Sequence, residues 1–186
     1  MKYQAHVDGL RTVAVVPVVI FHLGALLFPG GYVGVDVFFV ISGFLITSLL
    51  LEDMYNGSYS LLDFYKRRIL RILPALAVVL LATYIFANLL FFETARRETG
   101  QSIIATAGFL SNIFFWQDSG YFTAPAETKP LLHTWSLAVE EQFYIFFPPF
   151  LYLLVRYARS YLLVTVALVA ILSFGLCVFY TLRYQP

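Results

Sequence analysis

The sequence predicts an all-α fold, a polytopic transmembrane helix bundle of five or six spans. Three observations carry that class. Only 12% of the 186 residues are charged, against about 25% in an ordinary soluble domain. Hydrophobic residues make up 60% of the chain and the mean hydropathy is +0.79. The apolar residues fall into successive runs near the length of about 20 residues that a helical crossing needs. The 11 Gly, 8 Pro and 13 Tyr fit the same class, since membrane helices tolerate Gly and Pro and collect Tyr and Trp at their rims. A net charge of +1 excludes nucleic acid as a bulk electrostatic partner. The single cysteine, Cys177, excludes an internal disulfide and a cysteine-rich metal site.

The first run, 12–28, follows Lys2 and Arg11 much as the apolar part of a signal peptide would. Further apolar runs come after it and Pro29-Gly30-Gly31 has turn composition, so it is expected to be a retained helix. The second run, 32–51, carries one charge, Asp36. The third, 72–92, has Pro74 in its expected first turn, where a missing N–H costs little. The segment 103–116 is shorter and contains Ser, Thr, Gly and Asn; it either crosses or re-enters. Two more runs follow, 135–155 and 161–182, and residues 1–186 form a single membrane domain with no soluble part. The connection 52–71 holds Lys66, Arg67, Arg68 and Arg71, whereas no Lys or Arg separates the first two runs. The N-terminus and 52–71 are therefore expected to be cytoplasmic and the Pro29 turn outside. Over the whole chain eight basic residues lie inside and four outside whether or not 103–116 crosses, so orientation beyond residue 92 stays open.

Asp8, Arg11 and His22 form the sharpest constellation. At 100° per residue, the step of eleven from Arg11 to His22 differs from whole turns by about 20°. The two share a face, about 16 Å apart along the axis, and Asp8 is a helical neighbour of Arg11 if the helix extends that far back. Ionisable groups within a bilayer usually face a polar cavity. There the imidazole can take or give a proton and the guanidinium can grip a phosphate or carboxylate. The alternative is a His22 that only hydrogen-bonds a neighbouring helix at the interface. Asp36 lies as far after Pro29 as His22 lies before it, so it either orients the imidazole or caps the second helix. Gly34 and Gly43 fit close helix packing.

The basic segment 66–71 is either a topology signal in contact with anionic lipid or a clamp for donor phosphates, with Arg68 and Arg71 on one helical face. Farther on, Glu140 and Glu141 stand beside Gln142, with Ser136 and His133 before them, at the start of an apolar helix. One acid there suits the helix dipole; two among polar neighbours suggest a pocket lining, although adjacent side chains point about 100° apart. Ser42 and Ser136 lack a nucleophile-elbow surrounding. His6, His22 and His133 lack metal-ligand spacing, so no metal is expected.

Five stretches together resemble the acyltransferase-3 family of bacterial integral membrane O-acyltransferases, which modify O-antigen and peptidoglycan. They are Val7-Asp8-Gly9-Leu10-Arg11, Phe21-His22, the segment 34–47 opening Gly34-Val35-Asp36, the segment 64–74, and the segment 133–144 containing Glu140-Glu141-Gln142-Phe143-Tyr144. The resemblance implies acyl transfer, acetyl in the first instance, from cytoplasmic acyl-CoA to a glycan hydroxyl outside the bacterial cytoplasmic (inner) membrane. It implies His22 as the essential base paired with Arg11, Arg68 and Arg71 (with Arg67 beside them) at the donor, and Glu140 or Glu141 near the site. No permanently bound cofactor is expected; acyl-CoA is a substrate. Family members have about ten spans, so a chain of five or six is expected to be an N-terminal portion. Two other readings compete: a transporter or proton relay built on Arg11, His22 and Asp36, and an inactive remnant.

Overall fold

The computed structural model describes residues 5–23, 29–118 and 128–184, with side chains from Gly9 to Arg183 within those ranges. The end of the first apolar run, 24–28, and the Asp8 and His6 side chains lie outside that description. Seven α-helices are present among the described residues, and no strand: α1 (Ala5–His22), α2 (Gly34–Tyr55), α3 (Leu61–Leu90), α4 (Glu93–Ala107), α5 (Ser111–Gln117), α6 (Thr134–Tyr157) and α7 (Leu162–Tyr184). The chain divides into two compact units, Met1–Tyr144 and Ile145–Pro186.

Among the described residues, three stretches are long and apolar enough to cross a bilayer: Gly31–Tyr55, Leu61–Leu90 and Arg159–Arg183. The apolar part of α1, Gly9–His22, is shorter, and the 24 residues of α6 have the length of a span but carry Glu140, Glu141 and Gln142. Most large apolar side chains of α3 and α7 are exposed, as expected where the surrounding solvent is hydrocarbon. Cys177 is among these exposed residues of α7.

The third helix begins earlier than its hydropathy suggests. Ser60 caps it, its side chain accepting a hydrogen bond from the Asp63 N–H, so α3 takes in the whole basic segment and Pro74 sits in its interior rather than its first turn. A membrane helix tolerates such a proline. The apolar run from 103 to 116 is not one helix. α4 ends at Ala107, Phe109 takes a left-handed φ of 54°, and α5 is only 7 residues long, about 10 Å, far short of a crossing.

In the first unit, α1 packs against two glycines, Gly34 at the start of α2 and Gly31 in the 3-10 turn just before it. A Cβ on Gly34 would stand 2.1 Å from the Ala14 carbonyl oxygen, and one on Gly31 would stand 2.3 Å from that of Pro17. Only a residue without a side chain permits this approach. Gly43, on the same helix, has nothing within 4 Å of its would-be Cβ, so its absent side chain is not explained by packing. Farther down α2, Ile46 and Leu50 are buried, as are Phe64 of α3 and Ala138 and Tyr144 of α6. Forcing a methyl group into such a contact costs about 1–3 kcal/mol. Gly34→Ala should therefore lower the unfolding free energy by about that amount in detergent, whereas Gly43→Ala should leave it unchanged or slightly raised; denaturant titration followed by circular dichroism measures both.

Candidate functional site

His22 is the last residue of α1. Its Nδ1 lies 2.8 Å from the Val18 carbonyl oxygen. A carbonyl only accepts, so Nδ1 carries the proton and Nε2 of the neutral ring keeps its lone pair. The Phe21 ring stands edge-on to the imidazole, 5.5 Å between centroids. Arg11, on the same helix, lays its guanidinium over the Phe38 ring of α2 at 4.8 Å. Its Nε is buried without a hydrogen-bond partner, and it borders a recess shared with Thr12, Val15 and Phe38.

A cavity of about 500 Å³ opens between α1, α2, α3 and the start of α6. Val15 and Val18 line it from α1, Gly34, Phe38 and Phe39 from α2, and Arg71, Leu76 and Val79 from α3. His133, Thr134, Ser136 and Glu140 line it from the segment entering α6. The wall is largely apolar, with its polar groups at the two ends. His133 marks one end, within electrostatic reach of His22 when that ring is protonated. Glu140, seven residues and about 10 Å along α6, marks the other with Arg71.

Around that second end the structure brings together residues of α2, α3 and α6. The Arg68 guanidinium is stacked on the Tyr144 ring at 4.5 Å and faces the Phe64 ring at 5.5 Å. The Tyr144 hydroxyl donates to Glu140 Oε1. Glu140 and Glu141 both act electrostatically on Arg68, as does Arg71. At the cavity the 100° between adjacent side chains separates the two acids: Glu140 lines it, whereas Glu141, 7% exposed, does not, although both act electrostatically on the Arg68 guanidinium. Glu141 Oε1 and Ser42 Oγ are buried without a hydrogen-bond partner. Arg67 is exposed. Asp36 is in the first turn of α2 and also exposed; it makes no hydrogen bond or ion pair to a described residue, His22 included.

The start of α6 is anchored by a polar seam that sequence patterning only hinted at. Thr134 Oγ1 donates to the Leu131 carbonyl, so Thr106 Oγ1 is the donor in its 3.1 Å bond to Thr134 Oγ1. Ser111 Oγ donates to the Thr134 carbonyl. Gln142 and Asn112 exchange two amide hydrogen bonds, and Gln142 Nε2 also donates to the carbonyl of Phe109, the residue with left-handed φ. These bonds fix the turn between α4 and α5 against α6 and so set the depth of His133 and Glu140. Lys129 forms an ion pair with Asp118 at 2.6 Å just before this turn into α6. The i,i+4 spacings Phe64–Arg68 and Glu140–Tyr144 were visible signals for the stacked pair and the carboxylate bond. Nothing local marked Asn112 or Phe109.

Chemically, one end of the cavity offers an imidazole lone pair and the other offers guanidinium groups beside carboxylates. The family described as an acyltransferase domain matches residues 4–185. The O-acetyltransferase OatA of Staphylococcus aureus strain NCTC 8325 is 41% identical over 184 residues, covering 95% of this chain and 30% of the relative. A putative O-acetyltransferase of S. aureus strain MSSA476 is 42% identical over 186 residues, covering 96% of this chain and 30% of that protein. The chain thus spans 30% of the length of these relatives. No solved structure matches it significantly.

Desolvation, and then the nearby His22, hold His133 below the ordinary imidazole range, with the Pro130 backbone acting the other way. The unfolded chain therefore takes up this proton first, and the folded state loses stability as pH falls through the ordinary imidazole range. His22→Ala should move the His133 pKa upward, measured by NMR titration of ring-labelled histidine. An unmoved His133 titration would show that the two rings do not interact.

Proposed function

The chain belongs to the acyltransferase domain family, and from that premise we propose that it takes part in O-acetyl transfer from cytoplasmic acyl-CoA to a hydroxyl of an extracytoplasmic glycan. His22 is the general base. The observation that carries this assignment is the His22 Nδ1–Val18 carbonyl bond, which leaves Nε2 free to accept a proton. Two features support the wider reading: the cavity flanked by His133 and Glu140, and the O-acetyltransferase names of the relatives.

In the direct form of the reaction, Nε2 takes the proton of the acceptor hydroxyl as its oxygen attacks the thioester carbonyl. The carbon–sulfur bond breaks, and the thiolate of coenzyme A recovers the proton from the imidazolium. Arg68 and Arg71, with Arg67 and Arg11 nearby on the same membrane side, neutralise the donor's phosphates through charge-assisted hydrogen bonds. Glu140, Glu141 and Tyr144 hold Arg68 in place, and Asp36 enters only as a charge near the outer end of α2. The membrane is a bacterial cytoplasmic membrane with the N-terminus inside, which puts the basic start of α3 on the donor side.

Labelled acetyl-CoA supplied to membranes carrying the chain, with cell-wall glycan as acceptor, should yield acetylated glycan, and His22→Ala should abolish it. Transfer at the parental rate by a normally inserted His22→Ala protein would overturn the assignment. Arg68→Ala and Arg71→Ala should each weaken acyl-CoA binding by about 1.5–3 kcal/mol, read by equilibrium binding. Unchanged affinity would make the basic segment a topology signal alone.

A further inference from the structure

A second cavity, of about 310 Å³, lies where the end of α3 meets the start of α4. Tyr84 and Asn88 line it from α3, and Glu93, Arg96, Arg97 and Gly100 line it from α4. We propose that it binds the phosphate-bearing headgroup of a membrane lipid, a site independent of the acetyl-transfer reading.

Its position along α3 places it at a membrane rim. From Ile72 to Leu90 the helix carries no charged residue, a stretch of about 28 Å at 1.5 Å per residue, which matches a hydrocarbon core of about 30 Å. Arg67, Arg68 and Arg71 precede that stretch, and Arg96 and Arg97 follow it, so the two basic groups belong to opposite faces. Under the orientation set by the first group, Arg96 and Arg97 occupy the face where Lys and Arg are scarce. They do not serve the helix either, because cations near a helix N-terminus oppose its dipole. Neither is ion-paired to a described residue. Glu93 shares the rim, which leaves the lining with one net positive charge.

The remaining walls specify an amphiphile rather than a soluble anion. Tyr84 lies six residues, about 9 Å, inside the end of α3, and Ala87 and Ile103 complete an apolar floor. A headgroup phosphate would meet the two guanidinium groups while its acyl chains run down the exposed face of Tyr84 and Leu81. The Asn88 side chain already donates to the Tyr84 carbonyl. Gly100 keeps the floor open: nothing lies within 4 Å of its would-be Cβ.

Native mass spectrometry of the purified full chain in detergent, titrated with phosphatidylglycerol, tests the site. A neutral diacylglycerol glycolipid of matched chains and inorganic phosphate are the comparison probes. Phosphatidylglycerol should be retained at least about tenfold more tightly than the glycolipid. The double variant Arg96→Gln/Arg97→Gln should lose that preference, and Arg183→Gln, which removes an exposed charge on α7, should keep it. Gly100→Leu fills the cavity without changing charge and should lose it too, so the test survives if the double variant misfolds. Full retention of the preference by Gly100→Leu, or by a helical double variant, overturns the proposal. So does displacement of the lipid by millimolar inorganic phosphate, which would assign the cavity to a soluble anion.

Discussion

A polar group in hydrocarbon has no water to turn to, so it must find its partner inside the protein. That constraint organises the first unit. Thr106, Ser111, Asn112, Thr134 and Gln142 bond to one another or to backbone carbonyls, and in doing so tie α4 and α5 to the start of α6. The left-handed Phe109 is kept in place by the amide of Gln142, a strained backbone held by a side chain from another helix. The same constraint explains why Arg68 rests on the Tyr144 ring, an environment less costly to a guanidinium than bare lipid.

The cavity follows from two packing decisions. Gly34, with Gly31 in the turn before it, lets α2 approach α1 to backbone contact, which puts Phe38 beside Arg11 and brings Val15 and Val18 to the cavity wall. The polar seam then sets α6 with Glu140 near the basic start of α3 and His133 near the end of α1. His22 is not among the residues lining the cavity, but it lies within electrostatic reach of His133, which is. Its own tautomer is fixed within one helical turn, by Val18, and so does not depend on any other helix.

The all-α membrane class and the family were legible in the residues themselves, because both rest on local pattern: run length, charge scarcity, and the ten-residue interval between Arg11 and His22. The basic segment was also visible, as was the helical face shared by Arg68 and Arg71, but not that one unbroken helix carries it into the apolar run. Hydropathy marks where a helix becomes apolar, whereas the Ser60 cap marks where it begins, and the two differ by a dozen residues. The run 103–116 misled for a related reason. Its apolar composition fits a helix, yet a turn at Phe109 interrupts it, stabilised by a residue 33 positions away.

The linear order of residues determined which groups share a helix face and that charges sit at the ends of apolar runs. Those are consequences of the 3.6-residue turn and of bilayer thickness. Only the tertiary structure decided that Glu140 and Glu141 act on the same guanidinium, that Asp36 lies apart from any described partner, and that His133 comes within electrostatic reach of His22. Each of those depends on the depth at which one helix slides past another, and that depth is set by glycine contacts and buried hydrogen bonds between distant segments.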